Sequence, residues 1–453
     1  MGTLMIRQKH SVNRERNMEI TIIGTGYVGL VSAVLLSNAG HRVYCVENDP
    51  NKIESLNNGK SYFYEKGLQE YFTASFAKGL ISFHADLKAP VSKSKIIFLC
   101  LPTPSVKGKI ADLSTLYQVA ADMAKYIQDD TTIVIKSTVP VGSTRRIREI
   151  IQLENKQASK FEIQMNPEFL RQGNAVQDFL EPFLVVIGRE EGSESKILQE
   201  IYRSVISSKT EYCFMSLEDA EMTKYASNLF LANRISLVNE LACLCEETGA
   251  DIRQIKNAIM KDPNIGPGYL NSGIGYGGSC FPKDIDALIA MGNMHGLTLP
   301  LIQAIKDVNN RQKHLLVQKL MKEYPEGLLG KKIALWGLTF KPDTSDTREA
   351  PSIDIINDIN YLGGNVYAYD PMNEVIKANN VFFNVVFCEN KYTALDAADA
   401  LLILTEWEEF YHVNLNEIQE KMRVPLILDG RDVISLKEDH LKIKVIKVGK
   451  KND

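Results

Sequence analysis

The stretch Glu19-Ile20-Thr21-Ile22-Ile23-Gly24-Thr25-Gly26-Tyr27-Val28-Gly29 decides the fold of the N-terminal part of the chain. Residues 19–23 read as a short strand rich in β-branched side chains, and an apolar, alanine-bearing helix runs on from the glycines to Gly40. Residues 42–46 read as a second strand, which ends in Glu47. Strand, glycine turn, helix, strand and then an acid about twenty residues after the first glycine make up a dinucleotide-binding fingerprint in its required context. Gly24 makes the tight turn, Gly26 admits a pyrophosphate, and Gly29 lets the helix lie close to the strand. Tyr27 and Val28 open the helix, whose N-terminal N–H groups and dipole favour phosphate. Glu47 is expected to hold the ribose hydroxyls; it would repel a 2′-phosphate, so the expected cofactor is NAD.

Two further sheet strands, over residues 95–100 and 132–135, end in Leu101-Pro102-Thr103-Pro104 and Ser137-Thr138-Val139-Pro140-Val141-Gly142. In open α/β sheets ligands bind beyond the carboxyl ends of strands, so Thr103 and Thr138 are expected to line the cofactor crevice. Singly, each loop is ordinary turn chemistry. A strand at 163–165 leads into Asn166-Pro167-Glu168-Phe169-Leu170-Arg171-Gln172-Gly173. Glu168 is placed there as a general base, although an isolated loop glutamate is more commonly just solvated.

Residues 216–248 read as one long helix, with Ser216 as its cap, Asp219 at the third position and Gly249 as its stop. Lys224 and Asn228, four apart, share a face with Leu231 and Ile235. Lys224 there is equally a snorkelling lysine or a desolvated cation that stabilises an oxyanion. Next comes Gly275-Tyr276-Gly277-Gly278-Ser279-Cys280-Phe281-Pro282-Lys283-Asp284, a lone cysteine behind a run of glycines. The glycines allow a close approach to a ligand, while Lys283 and a helix starting just after Pro282 would favour the thiolate. On its own terms the cysteine is as readily a buried structural thiol.

A helix over 300–324 leads to a strand at 331–335, a helix at 352–362 and a strand at 365–369 that ends at Asp370. This repeats the opening unit in outline, without the glycine fingerprint. The loop Phe340-Lys341-Pro342-Asp343-Thr344-Ser345-Asp346-Thr347-Arg348 has a basic residue near each end and reads either as a phosphate clamp or as a solvated loop. A strand at 425–428 finishes in Asp429-Gly430-Arg431. The expected architecture is α/β: a flexible overhang over 1–17, a Rossmann dinucleotide-binding domain over 18–215, an all-helical segment over 216–324 carrying the cysteine loop, and a C-terminal Rossmann-like α/β domain over 325–453.

Composition supports a multidomain globular chain: 453 residues, 45% hydrophobic, 24% charged, formal net charge −4. No basic footprint points to nucleic acid. No run of about eighteen apolar residues points to a membrane span. Seven cysteines without Cys-x-x-Cys spacing suggest neither a disulfide framework nor a metal site, so reduced thiols in a cytoplasmic setting are expected. The polar, basic first seventeen residues lack the apolar core of a secretory signal.

Taken in order, these motifs resemble the UDP-glucose/GDP-mannose dehydrogenase family from Met18 to about Val433. The most specific string is Gly277 to Asp284, supported by the fingerprint, Ser137 to Gly142, Asn166 to Leu170, and Phe340-Lys341 through Arg348. The resemblance implies NAD-dependent four-electron oxidation of a nucleotide sugar's C6 alcohol, UDP-glucose to UDP-glucuronate. The same chemistry on GDP-mannose or a UDP-N-acetylhexosamine is the alternative. It makes Cys280 the covalent nucleophile and Lys224 and Asn228 the oxyanion donors, with Glu168, Thr138 and Asp284 moving protons and ordering water. It places Glu168, Phe169, Leu170, Lys224, Asn228, Tyr269, the 271–277 backbone (Asn271, Gly275, Gly277), Phe340, Lys341 and Arg431 on the substrate. Lys52, Thr103, Thr138, Gln172, Lys283 and Arg348 join the cofactor's contacts, and the helical segment is expected to form a homodimer. Two positions depart from the family pattern: Gln172 replaces a glutamate, and Asn264 stands where the UDP-glucose enzymes carry arginine.

Overall fold

A computed structural model describes residues 17–105, 111–194, 196–435 and 442–451. The overhang expected over 1–17 lies, all but Asn17, outside the described residues. The chain forms two compact units. One holds the described residues up to Thr103 with Leu113–Met222; the other holds those from Thr223 onward with Pro104, Ser105, Ala111 and Asp112.

The first unit is built on strands β1 (Glu19–Ile23), β2 (Arg42–Val46), β3 (Ile81–His84), β4 (Ile96–Leu99), β5 (Thr131–Ile135), β6 (Phe161–Met165), β7 (Leu184–Arg189) and β8 (Glu211–Met215). Their order in the sheet is β3-β2-β1-β4-β5-β6-β7-β8. All neighbours are parallel except β6 and β7, which run antiparallel. Strands β4 and β5 are buried at every position, as a parallel sheet covered on both faces requires. The helix Tyr27–Asn38 is buried from Gly29 to Ser37 for the same reason: the sheet lies on one side of it and the helix Leu68–Ala77 packs on the other.

The fingerprint glycines are held to their positions by contact. Gly24 has φ +92°, and a Cβ there would lie 2.7 Å from the Cys100 carbonyl oxygen at the end of β4. A Cβ on Gly29 would lie 1.9 Å from the Gly24 carbonyl oxygen, so helix and turn meet at a distance only glycine permits. At Gly26 no atom of the described residues beyond its chain neighbours lies within 4 Å of the same point, leaving that side of the turn open.

The second unit begins in the 32-residue helix Leu217–Thr248, capped by Ser216, whose hydroxyl accepts the Asp219 N–H at 3.1 Å. The helices Ile252–Ile259, Phe281–Met294 and Pro300–Glu323 follow. Strands β9 (Lys332–Trp336), β10 (Asn365–Tyr369), β11 (Val385–Phe387), β12 (Ala400–Ile403), β13 (Leu426–Asp429) and β14 (Lys444–Lys447) form an all-parallel sheet in the order β11-β10-β9-β12-β13-β14. One apolar core joins the helices to this sheet: Val238, Ala242, Leu316 and Leu320 share it with Ile333, Leu335, Leu402 and Leu428.

The second sheet repeats the first closely and shows why it lost the dinucleotide turn. The Gly337 N–H donates to the Tyr369 carbonyl at 2.8 Å, as the Gly24 N–H donates to Val46 at 2.9 Å. Asp370 ends β10 as Glu47 ends β2. Here, however, the space beside Gly337 is filled, with Thr405 2.5 Å from a Cβ built there. The Asp370 carboxylate is fully buried, accepting N–H groups from Leu338, Thr339 and Met372 and from the Trp407 indole. At 0% exposure, against 7% for Glu47, this acid is out of a ribose's reach.

Candidate active site

The expected site residues fall into two sets, one in each unit. In the first unit, Glu47 is buried against the glycine turn. Its Oε2 accepts the Thr25 hydroxyl at 2.6 Å and its Oε1 accepts the N–H groups of Asn48 (2.9 Å) and Asp49 (3.1 Å), with Lys52 Nζ 4.0 Å away. Burial opposes ionisation, but the Thr25 hydroxyl, the two N–H groups and Lys52 outweigh it and hold the carboxyl below its usual range. The open side at Gly26, the N-terminus of the helix Tyr27–Asn38 and an ionised acid at the end of β2 fit a dinucleotide's pyrophosphate and adenosine ribose.

Glu47 also gives a pH test. A carboxyl whose folded pKa is lowered stabilises the fold above its unfolded value of about 4.3, and that contribution is lost as pH falls through the folded value. Glu47→Gln is therefore expected to lower the melting temperature at neutral pH, and the difference from wild type should shrink below about pH 4. Paired melts at both pH values, with NAD binding followed by calorimetry, check this.

Thr103 and Thr138 come together beyond β4 and β5, the Thr103 hydroxyl donating to the Thr138 carbonyl at 2.8 Å. Glu168 is buried beyond β6, and its Oε2 accepts the Leu170 N–H at 2.6 Å. The Phe169 ring lies 5.5 Å from that of Phe183, and Gln172 is half-buried in the same loop. Sequence reasoning missed what anchors this loop. The buried Glu65 carboxylate takes the N–H groups of Gly173 and Ala175, each at 2.7 Å, and the Tyr27 hydroxyl. Burial, then Glu65, pushes the Tyr27 phenol far above its usual pKa. Tyr27, expected among the cofactor contacts, thus spends its hydroxyl on tying the Glu168 loop to the fingerprint helix. Nothing local marks Glu65, since a lone loop glutamate reads as solvated.

In the second unit, Cys280 is the N-cap of the helix Phe281–Met294, with Pro282 inside its first turn. The helix therefore starts one residue before the proline, not after it, and puts the half-exposed thiol at the positive end of its dipole. Asp284, fully buried, accepts Asn228 Nδ2 at 2.6 Å and Lys283 Nζ at 2.5 Å. Lys224, one turn before Asn228, is buried with it, which decides against snorkelling. Lys283 was the cation expected near the thiol; the structure adds Arg348. Asp346, bonded to its guanidinium at 2.9 Å and 2.6 Å, raises its pKa most, and Cys280 adds a smaller raise.

Around the cysteine, Tyr269 adopts φ +60° with its ring 6.2 Å from that of Phe281, and Asn271 Oδ1 accepts Lys256 Nζ at 3.1 Å. Arg431 donates to the carbonyls of Leu404 (2.9 Å) and Gly275 (3.3 Å). The loop glycines were expected to admit a ligand. Their first requirement is the protein itself: a Cβ on Gly277 would meet the Glu349 carbonyl oxygen at 2.1 Å, and one on Gly278 the Phe340 ring at 2.8 Å. Lys341 Nζ stands 5.7 Å from that same ring.

A dinucleotide turn in one unit and a cysteine at a helix N-terminus beside a buried Lys-Asn-Asp group in the other define an NAD-dependent oxidoreductase with a candidate nucleophile. Comparison with known proteins carries this further. Models of the UDP-glucose/GDP-mannose dehydrogenase family match residues 18–206 (NAD binding domain), 218–311 (central domain) and 334–436 (UDP binding domain). The chain belongs to that family. It is 38% identical over 419 residues to a UDP-glucose 6-dehydrogenase of Rhizobium meliloti (strain 1021), covering 92% of this chain and 95% of the relative. It is 39% identical over 422 residues to UDP-glucose 6-dehydrogenase YwqF of Bacillus subtilis (strain 168), covering 93% and 95%. The solved structure of a UDP-glucose dehydrogenase from Pyrobaculum islandicum superposes with a TM-score of 0.89 at 31% identity, covering 97% of this chain and all of that one.

Proposed function

We propose that the chain oxidises UDP-glucose to UDP-glucuronate in two successive two-electron steps, with Cys280 as the covalent nucleophile. The observation that carries this reading is Cys280 at a helix N-terminus beside Asn228, Asp284 and Lys283, in a chain whose 38% and 39% identical relatives are UDP-glucose 6-dehydrogenases. NAD, bound through the fingerprint turn and Glu47, supplies the hydride acceptor for both steps.

The residues divide the remaining work. Glu168, with Thr138, takes the C6 hydroxyl proton as the alcohol becomes an aldehyde. The Cys280 thiolate then adds to C6, forming a C–S bond, and the former carbonyl oxygen takes a proton, giving a thiohemiacetal. Loss of a second hydride and that proton gives a thioester. Water adds to C6, the C–S bond breaks, the thiolate returns and the carboxylate leaves. Lys224 and the second N–H of Asn228 stabilise the oxyanions, each preorganised donor being worth roughly 3 kcal/mol. Asp284 holds Asn228 and Lys283 in place and orders the water. Tyr269, Asn271, Lys341 and Arg431 are assigned to the sugar and nucleotide, and Thr103, Gln172, Lys283 and Arg348 to the cofactor.

A second reading, the same chemistry on GDP-mannose or a UDP-N-acetylhexosamine, is favoured by Asn264. Its exposed amide folds back onto Asp262 at 2.9 Å and offers a sugar no cation. A homodimer is supported by Phe230, Leu237, Leu241 and Leu244, which form one exposed apolar stripe along the helix Leu217–Thr248. Among the described residues no helix is long and apolar enough to cross a membrane, and we place the enzyme in the cytoplasm. NADH formed per sugar consumed, with UDP-glucose, GDP-mannose and UDP-N-acetylglucosamine in parallel, tests the reading. Two NADH per UDP-glucose is expected. One per sugar would overturn the four-electron reaction, and turnover of another sugar alone would move the substrate to the second reading. Light scattering of the purified chain reads the dimer.

A further inference from the structure

Three buried amide side chains grip the backbone just ahead of the cysteine. From the helix Leu217–Thr248, Asn239 Oδ1 accepts the Gly273 N–H at 2.8 Å. From the helix Pro300–Glu323, Gln312 Nε2 donates to the Gly273 carbonyl at 2.6 Å. Asn309, one turn before Gln312, takes the Tyr276 N–H on Oδ1 at 2.9 Å and returns Nδ2 to the Tyr276 carbonyl at 3.1 Å. Their exposures are 0%, 4% and 4%. A side-chain amide that satisfies both the donor and the acceptor of one residue acts as a neighbouring strand would, in a loop that has none. Gly275, between the grips, has φ +93°, and a Cβ there would lie 2.8 Å from Asn309 Oδ1. Further along the loop, the Gly278 N–H donates to the Arg348 carbonyl at 2.8 Å. The loop is therefore pinned at Gly273, Tyr276 and Gly278, within the residues that lead into Cys280.

We propose that Asn309 and Gln312 are positioning residues: they hold the 273–276 backbone so that the Cys280 thiol is presented for attack on C6. This rests on the reading of Cys280 as nucleophile. A displacement near 1 Å at a reacting atom costs on the order of a hundredfold in rate, and an unclamped glycine loop can move that far.

The test uses Asn309→Asp and Gln312→Glu. A carboxylate keeps the acceptor but loses the donor, whereas the protonated acid has both and reproduces the amide. The titratable groups around the clamp are unchanged in both variants: Cys243, whose thiol faces Gln312 Oε1 at 3.9 Å and is pushed up by burial, Arg431 on Gly275, Lys313 paired with Glu349 and Asp354, and Lys306 paired with Asp286. Near pH 8 each variant is expected to lose about tenfold or more in kcat with little change in KM for UDP-glucose. The ratio of variant to wild-type kcat should then climb several-fold toward about pH 6. The second-order rate of Cys280 alkylation by iodoacetamide, followed by peptide mass, should change and recover in step. A ratio flat across pH in both variants, or a loss confined to KM or to the folded fraction, would overturn the proposal. The alkylation arm does not depend on turnover. If Cys280→Ala retains full activity the nucleophile reading fails, while the effect of Asn309→Asp on the thiol still reports whether the clamp holds the loop.

Discussion

Cys280→Ala is expected to release no UDP-glucuronate at a measurable steady rate, a loss of about three orders of magnitude or more in net turnover, as for removal of other covalent nucleophiles. The helix Phe281–Met294 keeps its start, because Cys280 makes no side-chain cap there and alanine accepts the same φ of −107°. Asn228 and Lys283 keep their hydrogen bonds to Asp284 as well, since those run between their own side chains. The variant should therefore fold, bind NAD and the sugar nucleotide, and stall after the first oxidation for want of covalent capture. The measurement is a single-turnover trace: the wild type yields two NADH per enzyme-bound sugar, and the variant no more than one. A variant that turned over at the wild-type rate would leave Cys280 a structural thiol and remove the thioester route.

Gly277→Ala is expected to be the most damaging single methyl in the cysteine loop. The new Cβ would sit 2.1 Å from the Glu349 carbonyl oxygen and 2.7 Å from its carbonyl carbon. Both are backbone atoms, so no rotamer change relieves the contact. Glu349 itself already holds φ +51°, which leaves it little room to retreat. Overpacking against backbone costs about 3 kcal/mol, here with displacement of the Gly278–Arg348 hydrogen bond in addition. A lowered melting temperature together with slowed alkylation of Cys280 is the expected pair of results. Gly268→Ala serves as the comparison, because among the described residues no atom beyond its chain neighbours lies within 4 Å of a Cβ there, and it should stay within about 0.5 kcal/mol of wild type. Equal stability of the two variants would mean that the 277–278 turn does not rest on residues 348–350.

What could be read in advance was whatever a short window encodes. Strand β1, the glycine turn, β2 and Glu47 lie within thirty or so residues, and each carries its own cue: a short run rich in β-branched residues in β1, glycine where φ is positive, an acid where β2 ends. The cysteine string is equally local, and so is the capped start of the helix Leu217–Thr248. Strands β7 and β8 were not read. Edge strand β8 carries only five residues, exposed or half-exposed throughout although four are apolar or aromatic, and nothing in so short a run announces that its sheet neighbour joins the sheet antiparallel.

By itself, then, the sequence determined two α/β sheets, the dinucleotide turn of the first and the candidate nucleophile of the second unit. Tertiary structure decided how the polar side chains are spent. Asn228 reaches Asp284 across 56 residues, Glu65 reaches Gly173 across 108, and Arg431 reaches Gly275 across 156. Asn309 and Gln312 look like the solvated face of a helix until the fold buries them against the cysteine loop. The physical reason is the same in each case. Backbone conformation follows from neighbours in the chain, whereas a buried carboxylate or amide acquires its role from whichever donors and acceptors the closed core brings within 3 Å or so, and no periodicity records that choice.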